Sequence, residues 1–329
     1  MRTLAVTLLA LAPGPPASAE LPDLYRSVAS VHWVVADLGA VRQGWEKLGF
    51  PPARDLGEVA LGVTHRGTSG TARIRVAVAD LAGLEVAWIE PVNEVGAFAE
   101  FRARHGSGIM SLNHRVSSLE EIDREVSRLG ALGVGVLQRS DAGSRPVLPS
   151  TAYMDTGEKG RYVLGLVLGS AAGSASPGPK APHGLTLSQL AFVARDLEAV
   201  SGFWRALGFP AIEVTHGPLR DPVYRGQPGR FDQELGWQRH GSVVYEWVRP
   251  LAGPSVYDEF LESHGEGVHH LGFDVPDLDA ALAAWTPLGF PPAQSGGWGE
   301  AGKKGSGRFA YVDTDPVGGA LLELLWRQP

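Results

Sequence analysis

The strongest constraint in this sequence is a repeat that returns after 159 residues. The segment SVHWVVADLGAVRQGWEKLGF, which begins at Ser30, aligns without a gap with QLAFVARDLEAVSGFWRALGF, which begins at Gln189. The same spacing relates Trp88 to Trp247. One register held over so long a distance indicates a duplicated unit, so the fold must be one that two similar halves can build.

A shorter repeat lies inside each half. An Asp-Leu pair is followed by Trp eight residues after the Asp, and by Leu-Gly-Phe from eleven residues after it. This pattern begins at Asp37, Asp196 and Asp277, and a divergent copy surrounds Ser118. Each copy opens with a short apolar run, continues with apolar residues at helical spacing, and ends in strand-like runs. The pattern predicts an α+β fold of four βαβββ modules.

The ends of the repeats divide the chain into domains. Residues 1–19 have a basic start, an apolar stretch and an Ala-Ser-Ala cleavage site, which predicts a signal peptide cut after Ala19 and an exported, periplasmic or extracellular protein. Residues 169–184 are rich in Gly, Ser and Pro and predict a linker. The predicted domains are residues 28–168 and 185–327.

Composition excludes several classes of chemistry and partner. The chain has no cysteine, so disulfides, thiolate metal sites and cysteine nucleophiles are excluded. Its formal net charge of −7 gives no electrostatic case for binding nucleic acid, and after residue 19 no apolar stretch approaches the length of a membrane span. The expected partner is a small molecule; whether the protein forms a homodimer is left open.

The modules resemble those of a known superfamily. The Asp-Leu…Trp…Leu-Gly-Phe pattern, the run GVHHLGFDVPDLDAAL and the ending YVDTDPVGGALLELLW are similar to sequences of the vicinal oxygen chelate superfamily, which includes glyoxalase I, methylmalonyl-CoA epimerase, extradiol dioxygenases and bleomycin-binding proteins. The resemblance implies that two modules pair into one curved sheet, forming two tandem glyoxalase-like domains. It also implies that the concave face of such a sheet holds one divalent metal ion.

The resemblance further implies where the metal ligands lie. In metal-binding members they come from the first and last strands of each module, and the corresponding positions here are Gln189, Glu246, His270 and Glu323. This set is similar to that of zinc-type glyoxalase I, and it suits Zn, Ni, Co, Mn or Fe(II). Strand alternation places the Gln and both Glu opposite large apolar neighbours, where a buried polar group needs a partner. A polar pocket without metal remains the alternative.

The N-terminal half lacks these ligands. The corresponding positions are Ser30, Ala87, Ser111 and Gly165, none of which is a credible metal ligand. We therefore expect a metal site in the C-terminal half alone, built by pairing of the third and fourth modules. His32 and His114 lie off the ligand register and are interpreted as ordinary histidines, and His269 is expected to point to the face opposite His270 and to pack there.

The function implied is that of a glyoxalase- or epimerase-type lyase or isomerase. In this hypothesis Glu323 is the first choice of base and Glu246 the second, and either would remove a proton α to a metal-chelated carbonyl. Extradiol dioxygenase activity is disfavoured because its ligand set needs His where Gln189 stands. The alternative is a non-catalytic protein that binds or sequesters a small molecule such as an antibiotic. The substrate stays open, including whether glutathione or CoA derivatives are relevant to an exported protein.

Overall fold

The computed structural model describes residues 20–140, 148–169 and 181–329. The predicted signal peptide (1–19) and most of the predicted linker (169–184) lie outside these residues, and both stay predictions. Among the helices that the structure describes, none combines the length and the apolar character needed to cross a membrane.

Each half contains two modules joined by a helix. The first module comprises β1 (Ser30–Val34), α1 (Leu38–Lys47), β2 (Arg54–His65), β3 (Thr68–Leu81) and β4 (Leu84–Pro91), and α2 (Ala97–His105) follows it. The second comprises β5 (Gly108–Val116), α3 (Leu119–Ala131), β6 (Val136–Ser140), β7 (Thr151–Met154), the short α4 (Gly157–Gly160) and β8 (Val163–Leu168).

The C-terminal half repeats this order with one departure. The third module comprises β9 (Thr186–Val193), α5 (Leu197–Ala206), β10 (Glu213–Thr215), β11 (Arg220–Tyr224), β12 (Gln227–Pro228), β13 (Asp232–Arg239) and β14 (Val244–Ala252), and α6 (Val256–Ser263) follows it. The fourth comprises β15 (Gly267–Asp274), α7 (Leu278–Trp285), β16 (Pro292–Trp298), β17 (Gly307–Val312) and β18 (Leu321–Arg327). Short 3₁₀ helices span Asp23–Arg26, Pro182–Gly184, Thr286–Leu288 and Asp315–Val317.

The departure is the division of the third module's middle strands into short pieces. The segment between α5 and β13 contains Pro218, Pro222 and Pro228. Proline cannot donate a hydrogen bond to a strand ladder, so it interrupts long strands. The long β2–β3 hairpin of the first module therefore has no equally regular counterpart here.

The repeated aspartates begin the helices as the sequence predicts. The Oδ1 atoms of Asp37, Asp196 and Asp277 each accept a hydrogen bond at 2.9 Å from the backbone N–H three residues later. This contact satisfies a donor that the first helical turn leaves free. Each module helix consequently starts at the same point of the repeat and holds its first strand in the same place.

Strand pairing follows the halves. β9 runs antiparallel to β15, and β1 runs antiparallel to β5. The pairing of the third module with the fourth is therefore as predicted. Ile109 of β5 and Val268 of β15 form the bridge that joins the two sheets, and these residues are 159 positions apart.

The repeated tryptophans fasten the halves to each other. Trp45, Trp204 and Trp285 are almost fully buried in one continuous apolar core. Their indole N–H groups donate across the halves to Val317 O (3.3 Å), Gly160 O (3.1 Å) and Leu48 O (3.1 Å), respectively. The helical faces of the modules thus pack together, and this leaves the other face of each sheet to form a cavity or a second core.

Candidate metal centre

The structure brings the four predicted ligands together. Gln189 lies on β9, Glu246 on β14, His270 on β15 and Glu323 on β18. These strands are neighbours, because β9 pairs with β14 and β15, and β15 pairs with β18. All four side chains are buried, with exposed fractions between 0% and 4%. The cluster therefore lies in the middle of the C-terminal sheet.

The contacts within the cluster centre on the two carboxylates. The Gln189 side-chain N–H₂ donates to Glu246 Oε2 at 2.8 Å and to Glu323 Oε2 at 2.7 Å. His270 Nε2 lies 3.2 Å from each of the same two oxygens. Within the part of the chain that the structure describes, that nitrogen nevertheless has no partner in hydrogen-bond geometry. It points between the carboxylates rather than at either one.

This arrangement fits a divalent cation. Glu246, His270 and Glu323 each offer a ligand atom, and these atoms all lie within 4.8 Å of one another. Ligand atoms about 2.1 Å from a metal lie about 3.0 Å apart at octahedral angles and about 3.4 Å apart at tetrahedral ones. The 3.2 Å separations fall between these values. The Gln189 amide can turn its oxygen inward, since amide O and N are assigned from their surroundings.

The charges of the cluster also favour a cation. Burial raises the pKa of the Glu246 carboxyl, and the Glu323 carboxylate raises it further. Burial alone would lower the pKa of His270, but the Glu323 and Glu246 carboxylates outweigh that effect and raise it to about 9. A proton on His270 thus compensates part of the buried negative charge, and a bound divalent ion would replace it. The chain therefore has a site suited to one divalent metal ion.

The prediction for His269 was wrong. The register of β15 shifts between Val268 and His270, so strict alternation of side chains fails there. As a result His269 Nδ1 lies 2.8 Å from His270 Nδ1, and both rings pack edge-on against Tyr311. The other nitrogen of His269 faces the Val256 carbonyl oxygen at 3.4 Å. His269 is buried, as expected, but it contacts a ligand of the site.

A cavity of about 350 Å³ opens beside the cluster. Gln189, Glu246 and Glu323 form part of its wall, and Gln233 on β13 forms another part. Gln233 is 6% exposed, and its Oε1 has no hydrogen-bond partner among the described residues. The rest of the wall is largely aromatic with two arginines, and includes Trp237, Trp298, Phe309, Arg239 and Arg327.

A larger cavity, of about 460 Å³, lies between the halves around His105 and His264. None of the four predicted ligands lines it. Its charged groups are paired with each other, for example Arg66 with Glu100 at 2.9 Å. The metal cavity, although smaller, is therefore the stronger candidate for the functional site.

The corresponding positions of the N-terminal half hold no comparable cluster. Ser30, Ala87, Ser111 and Gly165 occupy the ligand positions of its sheet. His32 pairs with Ala87 and Ser111 in the strand ladders, and its Nδ1 hydrogen-bonds the Tyr153 hydroxyl. His114 Nδ1 contacts Ser27 O at 2.9 Å. Their interpretation as structural histidines agrees with these contacts.

Comparison with known families identifies the C-terminal half. Residues 188–311 match the model of the Glyoxalase/Bleomycin resistance protein/Dioxygenase superfamily. This part of the chain is similar to that superfamily. By sequence, no curated protein matches the chain.

Two solved structures have a fold similar to that of nearly the whole chain. A mutant of 4-hydroxymandelate synthase from Streptomyces coelicolor superposes with a TM-score of 0.60 at 17% identity, covering 92% of each chain. A xylose isomerase-like TIM barrel/4-hydroxyphenylpyruvate dioxygenase fusion protein superposes with a TM-score of 0.54 at 16% identity. That match covers 95% of this chain and 50% of the fusion protein, so this chain spans half its length. At such identities the similarity shows the fold, and the chemistry must come from the site.

Proposed function

We propose that the protein is a metal-dependent lyase or isomerase that removes a proton α to a carbonyl of a chelated small molecule. The observation that carries this proposal is the convergence, beside one cavity, of two buried carboxylates, an amide and an imidazole nitrogen that has no hydrogen-bond partner among the described residues. A second ionised carboxylate in a buried site is costly unless a cation compensates it.

Each side chain has a role in this proposal. A bound divalent ion would polarise a carbonyl and so acidify the neighbouring C–H bond. Glu323 would accept that proton, with Glu246 as the second choice, because both line the cavity and carry oxygens at the centre of the cluster. Gln189 and His270 would hold the ion.

The dioxygenase named in the fusion protein is not our proposal for this chain. Non-haem Fe(II) oxygenases use two histidines and one carboxylate and leave positions open for oxygen. This cluster has one histidine and two carboxylates, with an amide at the fourth position. Four protein ligands would leave two octahedral positions open instead of the three that the oxygenase triad leaves, which suits a chelating substrate better than a substrate together with oxygen.

The first experiment is elemental analysis of purified protein beside the His270→Ala variant. We expect about one equivalent of Zn, Ni, Co, Mn or Fe in the wild type and loss of that metal in the variant. Ser111→Ala, at the corresponding position of the N-terminal half, is the matched control and should keep the metal. No metal in the wild type after incubation with these ions would contradict the proposal and leave a non-catalytic binding protein.

The second measurement tests proton abstraction. The α-protons of α-hydroxyacetophenone exchange for deuterium in D₂O when a base removes them, and NMR follows this exchange. The measurement therefore reports proton abstraction without requiring the natural substrate. Removal of a positioned general base costs about 10²–10⁴-fold in rate, so Glu323→Gln should slow exchange by that factor. If Glu246→Gln does so instead, with Glu323→Gln unaffected, the two carboxylates exchange roles.

A further inference from the structure

One wall of the metal cavity is a single strand face. Gln233, Leu235, Trp237 and Arg239 alternate along β13 and all line the cavity. Trp237 lies directly opposite Glu246 in the ladder with β14, and Arg239 lies two residues further on. A strand rises about 3.4 Å per residue, so the backbone of Arg239 is about 7 Å beyond the level of the carboxylate cluster.

Arg239 is the cation of this wall that no carboxylate neutralises. Its guanidinium lies 5.3 Å from the ring centroid of Trp237, and the side chain is exposed. Within the part of the chain that the structure describes, it has no ion pair with Asp or Glu. By contrast, Arg327 on the opposite wall is paired with Asp274 at 2.8 Å. A guanidinium stacked on an indole presents its N–H edge to a carboxylate or phosphate.

The opposite wall provides a second aromatic surface. Trp298 and Phe309 line the cavity from β16 and β17, and Arg327 lies 5.8 Å from the Trp298 ring centroid. The Arg327 guanidinium donates to Ser188 Oγ at 3.4 Å. Ser188 precedes Gln189, and both Gln189 and Arg239 pair with Val244 of β14. Both guanidiniums therefore lie at the same end of the cavity, and indole rings flank the space leading to them.

From this arrangement we infer that the substrate is an aryl α-hydroxy carbonyl compound with an anionic group on its ring. This inference rests on the proposed function for the α-hydroxy carbonyl part. The aromatic walls would take the ring, and Arg239 would bind the anion at the end of β13 beyond the residue that faces Glu246. A para-substituted phenyl ring holds its anion away from the chelating oxygens and fills the space between the indole rings, whereas a short aliphatic hydroxy acid does neither.

The test is a matched panel of three ligands on the metal-loaded full-length protein. The panel is α-hydroxyacetophenone, its para-carboxylate and its para-carboxamide, and the measurement is the dissociation constant by tryptophan fluorescence or calorimetry. We expect the carboxylate to bind at least about tenfold more tightly than the carboxamide, because charge-assisted hydrogen bonds are stronger than neutral ones. Arg239→Gln should abolish this preference, so that the carboxylate and the carboxamide bind with similar affinity.

The matched control is Arg205→Gln, an exposed arginine of α5 outside the cavity, which should keep the preference. Equal affinities for carboxylate and carboxamide in the wild type would overturn the inference. A preference that survives Arg239→Gln and disappears in Arg327→Gln would also overturn it, by moving the anion to the opposite wall.

Deuterium exchange on the same panel separates this inference from the proposed function. If the carboxylate binds preferentially through Arg239 but no member of the panel exchanges its α-protons, proton abstraction fails and anion recognition stands. If all three ligands exchange at equal rates and bind equally, the reaction stands and the anion-binding role of Arg239 fails.

Discussion

The two halves of this protein use the same strand positions for opposite purposes. Where the C-terminal sheet places two carboxylates, an imidazole and an amide, the N-terminal sheet has two serines, an alanine and a glycine. The serines form a neutral network: Ser111 Oγ donates to Asn113 Oδ1 at 3.0 Å, and Asn113 Nδ2 donates to Ser30 Oγ at 3.2 Å. The C-terminal sheet thus concentrates buried negative charge that a cation would compensate. In the N-terminal sheet the buried polar groups hydrogen-bond one another.

One pair of facing residues contains a glycine in each half, but on a different strand. In the C-terminal sheet Gly272 lies opposite Glu323, whereas in the N-terminal sheet Asn113 lies opposite Gly165. A Cβ at Gly165 would lie 2.0 Å from Asn113 Oδ1, and a Cβ at Gly272 would lie 2.4 Å from Gln189 Cγ. In each half, only one residue of this facing pair carries a large polar side chain, and the other residue is glycine.

The layer behind the cluster differs in the same direction. Behind the metal centre, the Tyr257 and Tyr311 hydroxyls hydrogen-bond at 2.7 Å, and His269 contacts His270. The N-terminal counterparts of Tyr257 and His269 are Phe98 and Met110, which belong to an apolar core. Two of the polar residues around the metal centre thus have apolar counterparts in the N-terminal half, while the counterpart of Tyr311, Tyr153, hydrogen-bonds His32 there.

The most severe way to break the comparison is to place the C-terminal carboxylate in the N-terminal sheet. Gly165→Glu forces a side chain into space occupied by Asn113 and buries a charge without a cation. We expect a loss of about 3–5 kcal/mol in the free energy of unfolding, measured by urea denaturation. Gly62→Glu is the control, because Gly62 is exposed on β2 with no atom within 4 Å of an added Cβ, and it should cost below about 0.5 kcal/mol.

A double variant keeps this test informative if the single variant does not fold. Asn113→Gly combined with Gly165→Glu copies the Gly272–Glu323 pair, which removes the clash and leaves the charge. The coupling energy in the resulting cycle should be about 0.5–3 kcal/mol in favour of the double variant. Equal losses in the free energy of unfolding for Gly165→Glu and Gly62→Glu would contradict this prediction, because they would show that the N-terminal sheet accepts a carboxylate at the ligand position.

A smaller effect is expected from copying the N-terminal residue behind the cluster. If the Nδ1–H of His270 donates to His269 Nδ1, the opposite nitrogen of His270 keeps its lone pair for a metal. His269→Met, which copies Met110, should weaken zinc binding about 10–100-fold, measured by competition with a chromophoric chelator. Met110→Leu is the control and should leave zinc affinity unchanged. An unaltered affinity in folded His269→Met would assign His269 a packing role alone.

Much of this architecture follows from the sequence because it depends on local chemistry. Asp37, Asp196 and Asp277 cap their helices through contacts three residues apart, and such contacts are readable from spacing. The four candidate ligands come together because the repeat fixes strand order and the resemblance fixes the positions along each strand. Local rules and a repeated topology agree here, and agreement of that kind is what makes a fold predictable.

What the sequence does not reveal depends on contacts across strands. The shift in β15 that turns His269 toward His270 leaves no signal in the alternation of apolar residues. Likewise, the repeat aligns Asn113 with Gly272, but only the ladder shows that each lies beside a ligand position. The role of Arg239 also requires the register of β13 against β14, which the sequence does not specify.

The smallest predicted difference between the halves is their response to acid. His32, at the position of Ala191, is fully enclosed beside Phe98 and Tyr153, and burial lowers its pKa to about 3 from a usual value of 6.5. The folded protein therefore holds this histidine neutral, while the unfolded chain protonates it near pH 6.5. The stability that depends on the neutral form is present above pH 6.5 and is lost as the pH falls from 6.5 toward 3.

His32→Gln keeps a hydrogen-bonding group beside Tyr153 and removes the titration. Between pH 7 and pH 5 the wild type should lose at most about 2 kcal/mol more free energy of unfolding than this variant, measured by urea denaturation with chelator present. His183→Gln, at an exposed histidine, should follow the wild type. Since His114 and His240 have pKa values lowered to about 4 by burial, they keep part of the slope in every variant. Parallel pH profiles for the wild type and His32→Gln would contradict this prediction, because they would mean that the folded protein accepts a proton on His32 without loss of stability.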